Sequence, residues 1–101
     1  MSEYPDGFGE ELACLGEIAE PVVLNNTQKL IVRLAQRQLL EGCLISGLGR
    51  HACLQWPGSH LSCSCTRTSY QIDQYSAGLW SQTSRITRDV DEALDTIARL
   101  M

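Results

Sequence analysis

Two stretches of the chain repeat apolar residues at the spacing of one helix face. The first covers residues 27–41, and Asn25-Asn26-Thr27 before it are typical helix-start residues, because their side chains can accept from free backbone N–H groups. Gly42 is suited to end that helix. The apolar stripe consists of Leu30, Ile31, Leu34, Ala35 and Leu39. This pattern predicts a helix over about 27–41.

The second helical pattern lies at the C-terminal end. Asp89 followed three residues later by Glu92 forms a capping box, in which each residue satisfies a backbone N–H at the helix start. The apolar face that follows contains Val90, Ala93, Leu94, Ile97, Leu100 and Met101. We expect an amphipathic helix that packs on a sheet.

The N-terminal segment has a weaker helical pattern. Residues 9–20 place several apolar side chains on one face, and Pro21 is expected to end that helix. Val22-Val23-Leu24 would then form a short extended connector. Residues 1–8 are expected to be a flexible terminus because Pro5 and Gly7 break regular structure. Residues 9–101 are expected to form a single domain.

Residues 43–88 are rich in Thr, Ser, Tyr and Ile, as strands are. The predicted strands are Arg50–Gln55, His60–Thr68, Tyr70–Tyr75 and Leu79–Thr87, the first two forming a hairpin around Pro57-Gly58 and the last two separated by Ser76-Ala77-Gly78. We therefore predict an α+β two-layer sandwich with N-terminal helices, an antiparallel sheet of three to four strands and the C-terminal helix. An alternative folds residues 27–49 as a helix-turn-helix, although Gly47-Leu48-Gly49 makes a poor recognition helix.

The hairpin carries five residues of the types that bind zinc. If Cys53 faces Cys63 and His51 faces Cys65, those four side chains share one face and could form a tetrahedral set. The fifth such residue, His60, begins the second predicted strand of the hairpin. The spacing lacks the usual pair of C-x-x-C knuckles.

A second register of the hairpin agrees better with the pattern of hydrophobic residues. With Leu54 opposite Leu61 and Ala52 opposite Cys63, the apolar side chains and Trp56 lie on the buried face, whereas Gln55 and His60 point outward. Free cysteine behaves as a small core hydrophobe. We therefore expect core cysteines, no metal site and no cofactor.

Charge is segregated along the chain, which carries a net charge of −4. Residues 1–26 hold six acidic and no basic residues, residues 27–88 hold seven basic and two acidic residues, and residues 89–101 hold four acidic residues and one basic residue. A basic middle between acidic ends favours binding to charged partners, or pairing of two copies through unlike surfaces.

Several classes of function find no support in the sequence. The apolar runs are too short to cross a bilayer, and the acidic N-terminus does not resemble a secretory signal. Five cysteines cannot all pair within the chain, which suits the reducing cytoplasm. A Cys–His nucleophile–base pair is conceivable, but no sequence signature of one surrounds any cysteine. We expect a cytoplasmic protein that is not an enzyme.

Basic and aromatic residues alternate in the predicted strands. Such a face could bind single-stranded nucleic acid, whose bases stack on aromatic rings beside a positive groove, and Tyr, Trp and Arg are also enriched at protein interfaces. The candidate binding residues are Arg67, Tyr70, Tyr75, Trp80, Arg85 and Arg88.

The leading functional interpretation is a small regulator, adaptor or inhibitor that binds another protein, with a homodimer as a further expectation. Its small size and lack of catalytic motifs also suit a phage or mobile-element inhibitor of a host system. The alternative is a module that binds single-stranded nucleic acid through the basic, aromatic sheet face, and a more distant one is a small zinc-binding domain.

Overall fold

The structure, a computed structural model, describes residues 20–48, 50–75 and 82–101, together with residues 13 and 17. Within them, the elements follow in the order helix, five strands, helix. Their bounds are α1 Pro21–Gln36, β1 Leu44–Leu48, β2 His51–Trp56, β3 Leu61–Cys65, β4 Tyr70–Tyr75, β5 Gln82–Thr87 and α2 Val90–Leu100. The predicted flexible segment 1–8, most of the predicted helix 9–20 and the predicted turn 76–78 lie outside the described residues.

The first helix begins six residues earlier than predicted. Pro21 is its first helical residue, a position where proline's missing N–H costs nothing and its fixed φ suits the helix. The predicted extended connector, Val22-Val23-Leu24, is therefore helical. The expected start at Asn25-Asn26-Thr27 is wrong because these residues lie inside α1, where the Thr27 hydroxyl donates to the Val23 carbonyl oxygen at 2.7 Å.

The first helix also ends earlier than predicted, at Gln36 rather than near residue 41. The backbone N–H of Arg37 still donates to the carbonyl oxygens of Arg33 and Leu34, and Gln38 then takes a left-handed conformation with φ of 58°. That reversal stops the helix. Gly42, predicted to be the stop, instead has a φ of 75° in the turn that precedes β1.

The sheet is an antiparallel meander with the strand order β1-β2-β3-β4-β5. Five strands replace the three to four that the sequence predicted, because Leu44–Leu48 pairs with β2 as an extra edge strand. The helix-turn-helix alternative for residues 27–49 is wrong for the same reason. The α+β class, the antiparallel sheet and the C-terminal helix are confirmed.

Side chains from opposite residues of paired strands share a face, so the register divides the sheet into two faces. One face, the helix face, is covered by α1 and α2, which contact each other and pack on β2–β3 and β4–β5 respectively. A central row on this face runs across all five strands through Ile45, Leu54, Cys63, Ile72 and Arg85. Its first four members are buried, and they form the centre of the core.

Each helix buries the central part of its predicted stripe, whereas Leu39 lies beyond the end of α1 and Met101, beyond the end of α2, is 43% exposed. In α1 the buried residues include Leu30, Ile31 and Leu34, and in α2 they include Leu94 and Ile97. The Asp89 carboxylate accepts from the backbone N–H of Asp91 at 2.9 Å, which confirms Asp89 as the N-cap. The Trp56 indole N–H closes one end of the core by donating to the Leu39 carbonyl oxygen at 2.8 Å.

Within the part of the chain that the structure describes, neither helix has both the length and the apolar character needed to cross a membrane.

Candidate functional site

The hairpin that carries the possible zinc ligands adopts a third register. Leu54 lies opposite Cys63, and Ala52 lies opposite Cys65, so the pairing that the hydrophobic pattern favoured is displaced by two residues. A shift of two preserves which face each side chain occupies. The expected apolar face is therefore present, with Ala52, Leu54 and Cys63 buried, although the predicted partners were wrong.

This register separates the four residues of the possible zinc set. Cys63 and Cys65 lie on the helix face and are fully buried, whereas His51 and Cys53 lie on the opposite face. Among the described residues, no group of three or more His, Cys, Asp or Glu side chains converges as a metal site requires. The hydrogen bond that the Cys63 thiol donates to Cys65, reinforced by burial, holds the pKa of Cys63 well above its usual value. Burial likewise raises the pKa of Cys53.

The predicted basic and aromatic face is not assembled by the described residues. Tyr70 is a core residue on the helix face, and its hydroxyl donates to the Asn26 carbonyl oxygen at 2.8 Å. Arg85 lies on the helix side of the edge strand β5, opposite Ile72, and its Nη2 lies 3.5 Å from Oε1 of Glu92 in α2. The side chain of Tyr75 and all of Trp80 lie outside the described residues.

The remaining two candidates, Arg67 and Arg88, are exposed and lie at one end of the sheet. Arg67 is in the β3–β4 turn and donates through both Nε and Nη2 to the Glu20 carboxylate. This hydrogen bonding lowers the pKa of Glu20 and raises the pKa of Arg67. Arg88 follows β5 directly and lines the same depression as Arg67.

The segregated charge is partly used inside the molecule. Arg33 and Arg37 of the basic middle pair with Asp91 and Asp95 of the acidic C-terminal segment, at 2.9 and 3.3 Å. The pairs Arg85–Glu92 and Arg67–Glu20 likewise join the middle to an acidic end. The linear pattern therefore overstated the charge that is available to partners, because the fold brings the segments together.

The face opposite the helices, here called the open face, carries uncharged polar side chains. Its central row runs through Ser46, Cys53, Ser64, Gln71 and Ile86. The row beside it runs through Leu44, Gln55, Ser62, Asp73 and Ser84. Asp73 is the single formally charged residue of these two rows, and it is only 7% exposed.

The rows of the open face end in apolar side chains at the two edges of the sheet. Leu44 on β1 is 52% exposed, and Ile86 on β5 is 65% exposed. The arginine and tyrosine pattern of the sequence does not point to this face. The available signal was the alternation of Ser with buried residues in Leu61-Ser62-Cys63-Ser64-Cys65.

Basic side chains gather at the end of the sheet where β1 meets β2 and β3 meets β4. Here, Lys29 of α1, Arg50, Arg67 and Arg88 surround two adjoining depressions of about 300 and 430 Å³. We call these four residues the basic end. The alternation of basic and aromatic residues pointed to Arg67 and Arg88 but not to Lys29 and Arg50, because only the meander brings these separate segments together.

Comparisons with known proteins give no further guide to this site. No protein-family model matches the chain, and neither the search of curated proteins nor the search of solved structures found a match.

Proposed function

We propose that the chain is a small non-enzymatic module that binds another protein through the open face. The observation that carries this proposal is the near absence of formal charge in the two open-face rows, in a chain where 20% of all residues are charged. The cores of protein interfaces are depleted in charged residues because a buried charge must lose its water. Removing water from Ser46, Ser64 and Gln71 costs less, since a partner can replace their hydrogen bonds.

The shape of the face supports the same proposal. Five paired strands supply a broad platform, and the exposed Leu44 and Ile86 at its edges add apolar area that a partner could cover. The partner is expected to present a surface that is itself poor in charge. A nucleic acid or an acidic membrane would lack complementary charge on this face, because no Lys or Arg occupies its two described rows.

The proposed role is that of a regulator, adaptor or inhibitor in the cytoplasm. Among the residues that the structure describes, Cys53, Cys63 and Cys65 are free thiols, which supports the proposal of a reducing compartment. Binding through a preformed sheet needs no ordering of the β3 and β4 backbones, so the module would dock without paying that entropy.

The test introduces a charge into the open face and compares it with the same charge elsewhere. Ile86→Arg and Ser64→Arg place a guanidinium in the central row of the open face. Gln36→Arg places one at the exposed end of α1. Each tagged variant is purified from the cells that produce the protein, and co-purifying proteins are quantified by mass spectrometry. Circular dichroism verifies the fold of every variant.

We expect wild type and Gln36→Arg to retain equal amounts of one partner protein. Both open-face variants should retain roughly tenfold less of that partner, or lower still, because each places a charge in the interface. A partner retained by all folded variants would contradict docking on this face, as would the lack of any specific partner. Sedimentation of the pure protein tests a second copy as occupant: a dimer that Ile86→Arg dissociates would assign the face to self-association and overturn binding to another protein.

A further inference from the structure

The basic end brings together cations from four separate segments of the chain. Lys29 lies on α1, Arg50 lies just before β2, Arg67 lies in the β3–β4 turn, and Arg88 lies between β5 and α2. In an antiparallel meander, the β1–β2 and β3–β4 connections and the end of β5 all lie at the same end of the sheet. The topology therefore brings together residues that are up to 59 positions apart in the sequence.

Two adjoining depressions give this cluster a shape. The first, of about 300 Å³, is lined by Lys29, Arg67 and Arg88, and the second, of about 430 Å³, is lined by Arg50 and Arg67. Arg67 and Thr68 belong to both depressions, so the two adjoin at the β3–β4 turn.

Three of the four cations of the basic end differ in their pairing from the arginines that face α2. Arg33, Arg37 and Arg85 each pair with a carboxylate of α2, whereas Lys29 and Arg88 form no ion pair with any residue that the structure describes. Arg50 forms none within those ranges either. As far as the described residues are concerned, these three side chains keep their charge available to a ligand.

Two carboxylates of the described residues near the basic end, those of Asp89 and Glu20, are already engaged. The Asp89 carboxylate accepts from the Asp91 backbone N–H as the cap of α2, and the Glu20 carboxylate accepts from Nε and Nη2 of Arg67. Arg67 retains its Nη1 group as a further donor. Counting these four cations and two carboxylates of the described chain, the local charge is positive.

Hydrogen bonds fix the turn that carries Arg67 against α1. The Asn26 side-chain amide donates to the carbonyl oxygens of Thr66 and Arg67 at 3.0 and 3.1 Å. Within the turn, the Ser69 backbone N–H donates to the Thr66 hydroxyl at 3.0 Å. The backbone positions of Lys29 and Arg67 are therefore fixed before any ligand binds, which lowers the entropy cost of binding.

We infer that the basic end binds phosphate groups. Arginine presents a planar fork of donors that matches two phosphate oxygens, and lysine adds a mobile point charge. Two depressions that share Arg67 suit a ligand with at least two phosphate groups. A diphosphate ester and the backbone of a nucleic acid share this chemistry. Tyr70, the aromatic residue that lines the first depression, is buried, so recognition rests on phosphate rather than on base stacking.

The test measures binding of two probes, inorganic pyrophosphate by calorimetry and a fluorescent single-stranded oligonucleotide by anisotropy, at low salt. The test variant is Lys29→Gln with Arg88→Gln. The matched control is Arg33→Gln with Arg37→Gln, which removes the same number of positive charges from residues that are paired with Asp91 and Asp95. Circular dichroism verifies that both variants fold.

We expect the test variant to bind at least one probe roughly tenfold more weakly, and the control to change that affinity much less. If the oligonucleotide is the ligand, the slope of log affinity against log salt should also fall by about 1.4, for two lost contacts to a single strand. Pyrophosphate binding without oligonucleotide binding would identify a small phosphorylated ligand.

Two results would overturn the inference. If both variants weaken binding equally, the effect follows net charge and the basic end is not a site. If wild type binds neither probe at low salt, the cluster does not recognise phosphate. The inference is independent of the open face, because Ile86→Arg leaves all four basic residues in place.

Discussion

The Tyr70 hydroxyl donates to the backbone carbonyl oxygen of Asn26 at 2.8 Å and thereby joins β4 to α1. Asn26 in turn holds the β3–β4 turn through its side-chain amide. A single residue of the helix is thus linked both to the core tyrosine and to the turn that carries Arg67. The core and the basic end are coupled through this connection.

Replacing Tyr70 by Phe removes the hydrogen bond and preserves most of the packing. We expect the free energy of unfolding in urea to fall by about 1 kcal/mol at neutral pH, the usual net value of one hydrogen bond. A loss near zero would show that this bond does not stabilise the link between β4 and α1. The variant should also bind the phosphate probes more weakly, because Asn26 and the turn it holds become less firmly placed.

The same residue predicts a change of stability in alkali. Burial raises the pKa of Tyr70 to about 12 from an ordinary value of 10.0. Because the folded state holds the proton more tightly, the stabilisation is complete below pH 10 and declines as the pH rises toward 12. The stability difference between wild type and Tyr70→Phe should therefore shrink over that window. Tyrosinate absorbance of both proteins identifies the group, and an ordinary pKa for Tyr70 would contradict its burial.

Two leucines in neighbouring strands test the assignment of the sheet faces. Leu54 is fully buried on the helix face, whereas Leu44 is half exposed on the open face. Leu54→Ala should lower the free energy of unfolding by about 2–5 kcal/mol, because it leaves a cavity in the core. Leu44→Ala should cost less than about 1 kcal/mol, as exposed substitutions do. Equal losses in denaturant titrations would mean that the register is wrong.

The contact between the two helices includes ion pairs on successive turns. A double-mutant cycle of Arg33→Ala and Asp91→Ala should give a coupling energy of about 0.2–1 kcal/mol, the range of partly exposed pairs. The coupling should fall in high salt, because the side chains are 36% and 71% exposed and therefore screened. A coupling of zero at low salt would show that the pair does not contribute to helix packing.

The cysteines should differ in their reaction with a thiol reagent. Cys53 is half-buried on the open face, whereas Cys63 and Cys65 are fully buried on the helix face. Since only accessible thiolate reacts, Cys53 should be modified first of these three, slowly because its pKa is raised. Peptide mapping by mass spectrometry follows each site, and urea should equalise the rates. Native-state labelling of Cys63 before Cys53 would contradict the observed register.

The hairpin shows which features of strand pairing the sequence can predict. Alternation of polar and apolar residues predicted that Leu54, Leu61 and Cys63 share the buried face, and they do. It could not choose among registers that differ by two residues, because each of them places the same side chains on the same face. The observed register depends on the 3-10 turn Pro57–Ser59 and the left-handed His60, whose φ is 52°.

The first helix shows a different limit. Its buried stripe was predicted, yet its start was placed at Asn25-Asn26-Thr27 because these residues resemble caps. Asn26 serves instead as a tertiary donor to the β3–β4 turn. Local sequence cannot reveal that use, since the acceptors lie at least 40 residues away.

By itself, the sequence determined the α+β class, the buried stripes of both helices and the C-terminal cap at Asp89. These features depend on spacing and local hydrogen bonding, which are present in any short stretch of chain. The tertiary structure alone decided the fifth strand, the pairing of Arg33, Arg37 and Arg67 with acidic segments, and the convergence of the basic end. Those depend on which distant segments meet, and that is set by the packing of the whole core.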